Sequence, residues 1–475
     1  MTDGPGVPPI RQVGRRSTLA YGFGAVAYGV KDFGFSTFLL LFYSQVLGLP
    51  AAKVGFAIMC ALILDAFLDP LIGLLSDNTR SRWGRRHPWM YAAALPIGLG
   101  WLLLWNPPAV SESMQLLWVF ATSVIVRSAI SAYEVPSQAL TPELSADYDE
   151  RTRLTAYRYL FGWMGGMVTL FVTYAWLMAG PGGKPDQLNP ANYPAFALFG
   201  AGAMVLAILV SAIGTHGEIG RLPKPELARQ SLGHHFRDLW QTVQNRAFAV
   251  LMLAGLCYYT AQGVSFALAN LLYLHVWRFD TGAFTLLAPS LFLGAALAFI
   301  FAPRVAARLG KRAAAMGFMI GATVMISSPY ALRLVGMFPE PGDPVMLPLL
   351  LVIFCINTAC AVSTTLLGAS MMADVVEDSE AKTGRRSEGV FFSGAFFIQK
   401  CCGGLGIFGA SLIMHFAAFP DGAKVGTVPT ASIDRLTLYF ILAYIALGWL
   451  AAYFYRRFPF GKAEHDARVA ALAKR

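Results

Sequence analysis

Asp65 and Asp69 stand four residues apart in LILDAFLDPLIGLL, a segment whose other residues suit a hydrocarbon interior. Four residues is just over one helical turn, so both carboxylates fall on the same face of a helix. A charged side chain at the centre of a membrane helix costs about 2.5–3.5 kcal/mol on insertion scales, so it normally faces a cavity or a partner. Two acids sharing a face do not both ionise cheaply unless a cation or a proton sits between them. The spacing therefore points to reversible binding of a cation or proton, with permanent pairing to arginines as the structural alternative.

Few other polar groups interrupt the apolar runs. The first run carries Lys31 and Asp32 as neighbours, which point to different faces of a helix. The fourth carries Arg127, Ser131, Glu134 and Gln138, and their offsets keep them on one face; Pro136 among them marks a wet stripe. Arg158 opens the fifth run, where it either works in a cavity or snorkels at a helix end. Lys400 lies amid FFIQKCCGGLG in the eleventh, as a working cation or as a bridge to an acid in the other half. Asp32, Asp65, Asp69 and Glu134 total −4, while Lys31, Arg127, Arg158 and Lys400 total +4. Such a balance demands no metal cation, leans toward a proton, and leaves Arg158 and Lys400 for an anionic solute.

At the run ends, Asp77 closes the second run, where the helix dipole disfavours an anion, so it should pair with a nearby arginine. Asp77, Arg80 and Arg85, with Asp374 and Glu388 flanking the loop between runs ten and eleven, are expected to form gates. His87, His234 and His235 are expected in solvated loops, and Trp89, Trp101 and Trp105 in interfacial belts. The six cysteines read as small membrane-buried residues, and adjacent Cys401 and Cys402 lack metal-ligand spacing, so no metal site is assigned. GxxxxGK[ST] is not found, which argues against ATP-driven transport, and no nucleophile–base pair suggests an enzyme or calls for a cofactor.

The elements that carry these residues follow from composition. The 475-residue chain is 56% hydrophobic and 13% charged, about half the charge fraction of soluble domains. Apolar runs of about 20 residues recur, each long enough to cross a bilayer as a helix. Twelve spans are expected, at 19–47, 54–76, 88–106, 115–141, 155–179, 194–214, 247–275, 282–303, 313–336, 345–373, 388–418 and 434–456. The first run is expected to be a span rather than a cleaved signal peptide. The net charge of +10 sits on alternate loops, including Arg85 and Arg86, Arg304 and Arg308, and Arg385 and Arg386. That pattern is topological: it places both termini in the cytoplasm and removes nucleic acid as a partner. The organisation is an N-terminal tail 1–18, six spans over 19–214, a central cytoplasmic loop 215–246, six spans over 247–456, and a C-terminal tail 457–475. A glycine followed by two basic residues recurs at Gly84–Arg86 and Gly310–Arg312, after the second span of each half. This is an all-α membrane protein with two parallel six-helix repeats, the architecture of the major facilitator superfamily, with substrate near the midplane between halves.

The order of these motifs resembles the glycoside–pentoside–hexuronide:cation symporters, the melibiose-permease family of that superfamily. YGFGAVAYGVKDFGF is similar to the family's first span, and DAFLDPLIGLLSDNTRSRWGRRHPW to its most recognisable motif. YEVPSQALTPEL and ERTRLTAYR resemble its fourth and fifth spans, and TGRRSEGVFFSGAFFIQK its loop ten–eleven with the lysine of span eleven. The likeness covers essentially the whole chain. It implies that Asp65 and Asp69 bind the coupling cation with Ser131 as a hydroxyl ligand. It implies that Asp32, Glu134 and Arg158 contact the sugar with Lys31 beside them, and that Lys400 links the two sites.

The chain also departs from that pattern. Leu68 replaces an asparagine that favours sodium, and Leu62 replaces an arginine one turn before the first acid. Arg127 replaces a glycine one turn from Ser131, so the arginine is expected to have moved from span two to span four. There it would neutralise Asp65 and leave Asp69 to bind a proton. Gln138 replaces a sugar-stacking tryptophan and Thr365 an aromatic residue of span ten, at positions that face substrate in the family. The expected protein is a monomeric secondary symporter of the inner membrane, multi-pass in the lipid bilayer, moving a sugar, glycoside or hexuronide with a proton or sodium ion. One alternative is a lysophospholipid transporter of the same fold, which a cavity opening laterally to lipid would favour. Another is a sensor or scaffold without transport, which would tolerate Asp69→Asn.

Overall fold

Inside a bilayer the backbone has no water to bond, so each apolar run satisfies its own amides as a helix. The computed structural model describes residues 13–145, 147–221, 245–383 and 388–459. Among the described residues, twelve helices are long and apolar enough to cross a membrane. They are α1 Arg15–Val46, α2 Ala51–Asn78, α3 His87–Trp105, α4 Glu112–Leu144, α5 Glu150–Leu177 and α6 Pro190–His216. The second set is α7 Arg246–Val276, α8 Thr281–Leu309, α9 Lys311–Leu334, α10 Met346–Ser379, α11 Gly394–Phe416 and α12 Thr430–Arg456. Local chemistry marks the starts: Asp147, Asn245 and Asp280 accept from the first amides of α5, α7 and α8, satisfying groups that a helix end leaves unpaired. Much of the expected central loop, residues 222–244, lies outside the described residues, as do His234 and His235.

The packing repeats between the halves. In the first, α1 packs on α5 and α6, α2 on α4, and α3 on α4 and α6; in the second, α7 packs on α11 and α12, α8 on α10, and α9 on α10 and α12. Gly84 and Gly310 have φ of +73° and +82°, so each recurring Gly–basic–basic turn uses its glycine for a left-handed backbone. Beyond these turns, Arg85 pairs with Glu143 of α4 at 2.7 Å, and Lys311 pairs with Asp374 of α10 at 2.6 Å.

Glycines also bring equivalent helices into backbone contact. A Cβ on Gly29 of α1 would overlap the Gly162 carbonyl of α5. In the second half, a Cβ on Gly406 of α11 would lie 2.6 Å from both the Cα of Gly263 and the carbonyl oxygen of Thr260 on α7. Gly406→Ala is therefore expected to destabilise the protein by about 1–3 kcal/mol, because two rigid backbones must separate. A lowered thermal-unfolding midpoint in detergent would show it; an unchanged midpoint would mean the helices part freely.

The halves meet along α2 and α11, between α1 and α7, and between α5 and α8. Since the number of spans is even, Val13 and Pro459 lie at the same end of the bundle, the terminal end. The opposite, far end is sealed across the halves. Asn270 is fully buried there, donating to the Thr37 carbonyl at 3.2 Å and accepting from the Tyr174 hydroxyl at 2.6 Å. The π-helical turns Gly34–Leu39, Thr173–Leu177 and Leu272–Val276 surround this contact. Farther out, the loop after α11 docks on the α1–α2 turn: Gly422 N donates to Ser44 O at 3.1 Å and Ala423 N to Gln45 Oε1 at 3.1 Å. Asp421 accepts from Ala51 N at 3.2 Å, and burial raises its carboxyl above the usual range.

Two aromatic expectations are corrected. Trp101 and Trp105 are not interfacial; both are fully buried in the first half, with ring centroids 5.4 Å apart, and Trp105 stacks on Tyr193. His87 is likewise not in solvent: it is buried, with Nε2 and Thr215 Oγ1 hydrogen-bonded at 3.0 Å. In a bilayer, apolar side chains line both the lipid face and the packed face, so polarity does not tell the two apart.

Candidate functional site

The carboxylates on α2 meet side chains from α4 and α11 near the middle of the bundle. Arg127 donates to Asp65 Oδ2 through Nε at 2.9 Å and a terminal nitrogen at 2.8 Å, and Ser131 donates to Asp65 Oδ1 at 3.1 Å. Asp65 and Arg127 are both buried. The arginine expected to have moved to α4 thus reaches its acid.

Asp69 also has a partner, and it comes from the other half. Lys400 of α11 reaches Asp69 Oδ2 at 2.5 Å, Asp65 Oδ2 at 3.1 Å and Ser131 Oγ at 3.3 Å. An ammonium has three hydrogens, and three oxygens stand around this one. Asp69 Oδ1 is buried with no hydrogen-bond partner among the described residues. Two acids and two bases therefore form a locally neutral cluster that spans both halves.

Around the cluster lie the other predicted residues. Lys31 is buried, 3.5 Å from Asp32 Oδ1 and 4.4 Å from the centre of the Tyr28 ring. The pair meets although neighbours on a helix face different ways, because the lysine stem is long enough to bend back. Glu134 accepts from Gln138 Nε2 at 2.9 Å. Arg158 does not snorkel: it donates to Ser137 Oγ at 2.6 Å and lies over the Tyr21 ring at 5.1 Å. The Asp32 side chain is 48% exposed, and Gln138 and Thr365 are exposed. Polar side chains exposed at membrane depth normally face a water-filled cavity or a partner, and these stand on both halves.

Residues 20–462 match the family described as MFS/sugar transport protein. The chain belongs to that family. It is 24% identical over 423 residues to the inner membrane symporter YicJ of Escherichia coli, covering 88% of this chain and 86% of that one. It is 25% identical over 395 residues to the isoprimeverose transporter of Lactiplantibacillus pentosus, covering 81% and 78%. To the uncharacterized symporter sll1374 of Synechocystis it is 38% identical over 175 residues, spanning 34% of this chain and 32% of that one. Its fold matches the crystal structure of a D-xylose–proton symporter with a TM-score of 0.65 at 15% identity, covering 93% of this chain and 97% of that one.

Of the residues expected to form gates, Asp77 has the nearby arginine partner expected of it. Asp77 is held by Arg86 at 2.5 Å, and Arg86 also reaches Glu143 at 3.0 Å and Ser76 Oγ at 3.0 Å. Arg85 pairs with Glu143, and Asp374 with Lys311. Arg80 is exposed and makes no ion pair among the described residues. The side chain of Glu388 lies outside the described residues. Sequence reasoning missed Glu143, the acid that collects both arginines. Its signal was an acid in the last turn of α4, where the helix dipole disfavours an anion unless cations offset it. Sequence reasoning also left out Tyr258, Gln262 and Tyr444, neutral residues hydrogen-bonded to one another between α7 and α12.

Proposed function

We propose that this transporter is a proton-coupled symporter, not an enzyme, which imports a sugar, glycoside or hexuronide by alternating access. It would work as a monomer in the inner membrane with both termini in the cytoplasm, so that the sealed far end faces outward. The reading rests on one observation above all: Lys400 stands between Asp65, Asp69 and Ser131, where a coupling cation would otherwise be held.

In this scheme Arg127 keeps Asp65 ionised, and Asp69 is the acid that changes state. A proton on Asp69 removes its charge and releases Lys400 from it. The freed ammonium lies on the same cavity as Asp32, Glu134, Gln138, Arg158 and Thr365, which would bind the solute with Lys31 beside them. A proton alone leaves the cluster one charge positive, which an anionic hexuronide balances and the hydroxyl groups of a neutral saccharide solvate, so solute and proton together favour closure. Lys400 occupies the space between the oxygens of Asp65, Asp69 and Ser131 that a sodium ion would need as ligands, which favours the proton over sodium. Of the two relatives matched over most of their length, the symporter's name supports symport and the isoprimeverose transporter's name a saccharide as the solute class.

The test follows internal pH in proteoliposomes while uronides, glycosides, pentoses and lysolipids are added, with and without sodium. Wild type should acidify with one saccharide class independently of sodium, and Asp69→Asn should abolish the signal. Uptake that needs sodium and moves no protons would replace the proton with sodium. Acidification by lysolipids alone would move the substrate to amphiphiles.

A further inference from the structure

The two walls of the cavity differ in chemistry. The first half presents charge: Lys31 and Asp32 on α1, Glu134 on α4 and Arg158 on α5. The second half presents, besides Lys400 of α11, a neutral hydrogen-bonded group on α7, α10 and α12. The Tyr258 hydroxyl donates to the Ala361 carbonyl at 2.9 Å and lies 2.9 Å from Thr365 Oγ1. Its oxygen accepts from Gln262 Nε2 at 3.1 Å, and the Tyr444 hydroxyl donates to Gln262 Oε1 at 3.5 Å. Both tyrosines are buried, whereas Gln262 is half-buried and Thr365 exposed.

The direction this group faces follows from the next turn of α7. Phe266, four residues beyond Gln262 and so on the same helix face, meets Phe33 of α1 across the halves with ring centroids 6.4 Å apart. Gln262 therefore lies one turn toward the terminal end of that contact, on the face turned to α1, which carries Asp32 beside Phe33. Bonds from Tyr258 and Tyr444 hold the amide in place and use only part of its capacity: one N–H and one oxygen lone pair remain. A donor and an acceptor side by side match one or two neighbouring hydroxyl groups, each of which gives and takes a hydrogen bond.

We propose that Gln262, with Thr365 and held by Tyr258 and Tyr444, forms a neutral subsite that binds hydroxyl groups at the uncharged end of the solute. This deepens the symport reading and rests on it. Gln262 and Thr365 would touch the solute; Tyr258 and Tyr444 are positioning residues. Selectivity arises because a solute lacking the matched hydroxyl leaves the amide without its partner in a confined site.

The experiment measures uptake of a transported glycoside and its monodeoxy analogues by wild type, Gln262→Ala and Gln262→Glu. Gln262→Glu keeps the side-chain length and removes the amide donor. Gln262→Ala should raise KM about tenfold while leaving the maximal rate within about twofold. One deoxy analogue should lose a similar factor in wild type and lose nothing more in Gln262→Ala, and Gln262→Glu should show the same loss of discrimination. Unchanged KM in both variants, or losses that multiply when substitution and deoxygenation are combined, would overturn the subsite. A lower maximal rate with KM intact would also overturn it, since that marks a role in gating. If wild type moves no hydroxylated solute at all, the symport reading itself fails and the subsite falls with it.

Discussion

Lys400→Ala is expected to abolish solute-driven proton uptake, lowering its initial rate by at least about 100-fold. Lys400 is the second-half side chain that holds both carboxylates of α2, at 2.5 Å from Asp69 and 3.1 Å from Asp65. Removing one partner of a buried ion pair costs about 3–5 kcal/mol, because the other charge is left without compensation. Here Asp65 keeps Arg127, so the whole consequence falls on Asp69, which must take a proton permanently. A permanently protonated acid cannot load and unload with the transport cycle. Lys400→Arg should restore little, since a planar guanidinium does not match three oxygens placed around a compact ammonium. The decisive comparison is internal acidification against solute binding, measured on the same preparations. Binding should persist while acidification is lost. A Lys400→Ala protein that still acidifies at near the wild-type rate would reduce Lys400 to a structural brace.

Arg127→Leu should act on stability first. Asp65 is buried, and two of the bonds it accepts come from Arg127. Loss of the guanidinium should destabilise the fold by about 3–5 kcal/mol, offset in part by Lys400 moving wholly onto Asp65. Adding Asp65→Asn removes the stranded charge, so the double variant should recover much of the lost stability without recovering coupling. Membrane abundance and the thermal-unfolding midpoint in detergent read the first effect, and proteoliposome acidification the second. A double variant no more stable than Arg127→Leu alone would show that the pair is not what Arg127 contributes.

These outcomes separate what was legible along the chain from what was not. Spans were legible because a bilayer forces a run of about 20 apolar residues to satisfy its own backbone, whatever lies beside it. The repeat was legible from Gly84–Arg86 and Gly310–Arg312, since glycine adopts positive φ more readily than any other residue. Asp65 with Asp69, and Arg127 with Ser131, could be placed on shared faces because helical periodicity is local. Partner choice was not local. Lys400 lies 331 residues from Asp69, and only the packing of α11 on α2 brings its ammonium to both aspartates. The same holds for Glu143, which gathers Arg85 and Arg86 from a turn 58 and 57 residues away. Tyr258, Gln262 and Tyr444 carry no charge to flag them, and they form a site only where α7, α10 and α12 converge. The sequence by itself determined the helices, their number and the faces that carry charge, because those depend on neighbours within a turn. The tertiary structure decided which charges neutralise one another and which apolar side chains are core, because in lipid both depend on what packs alongside.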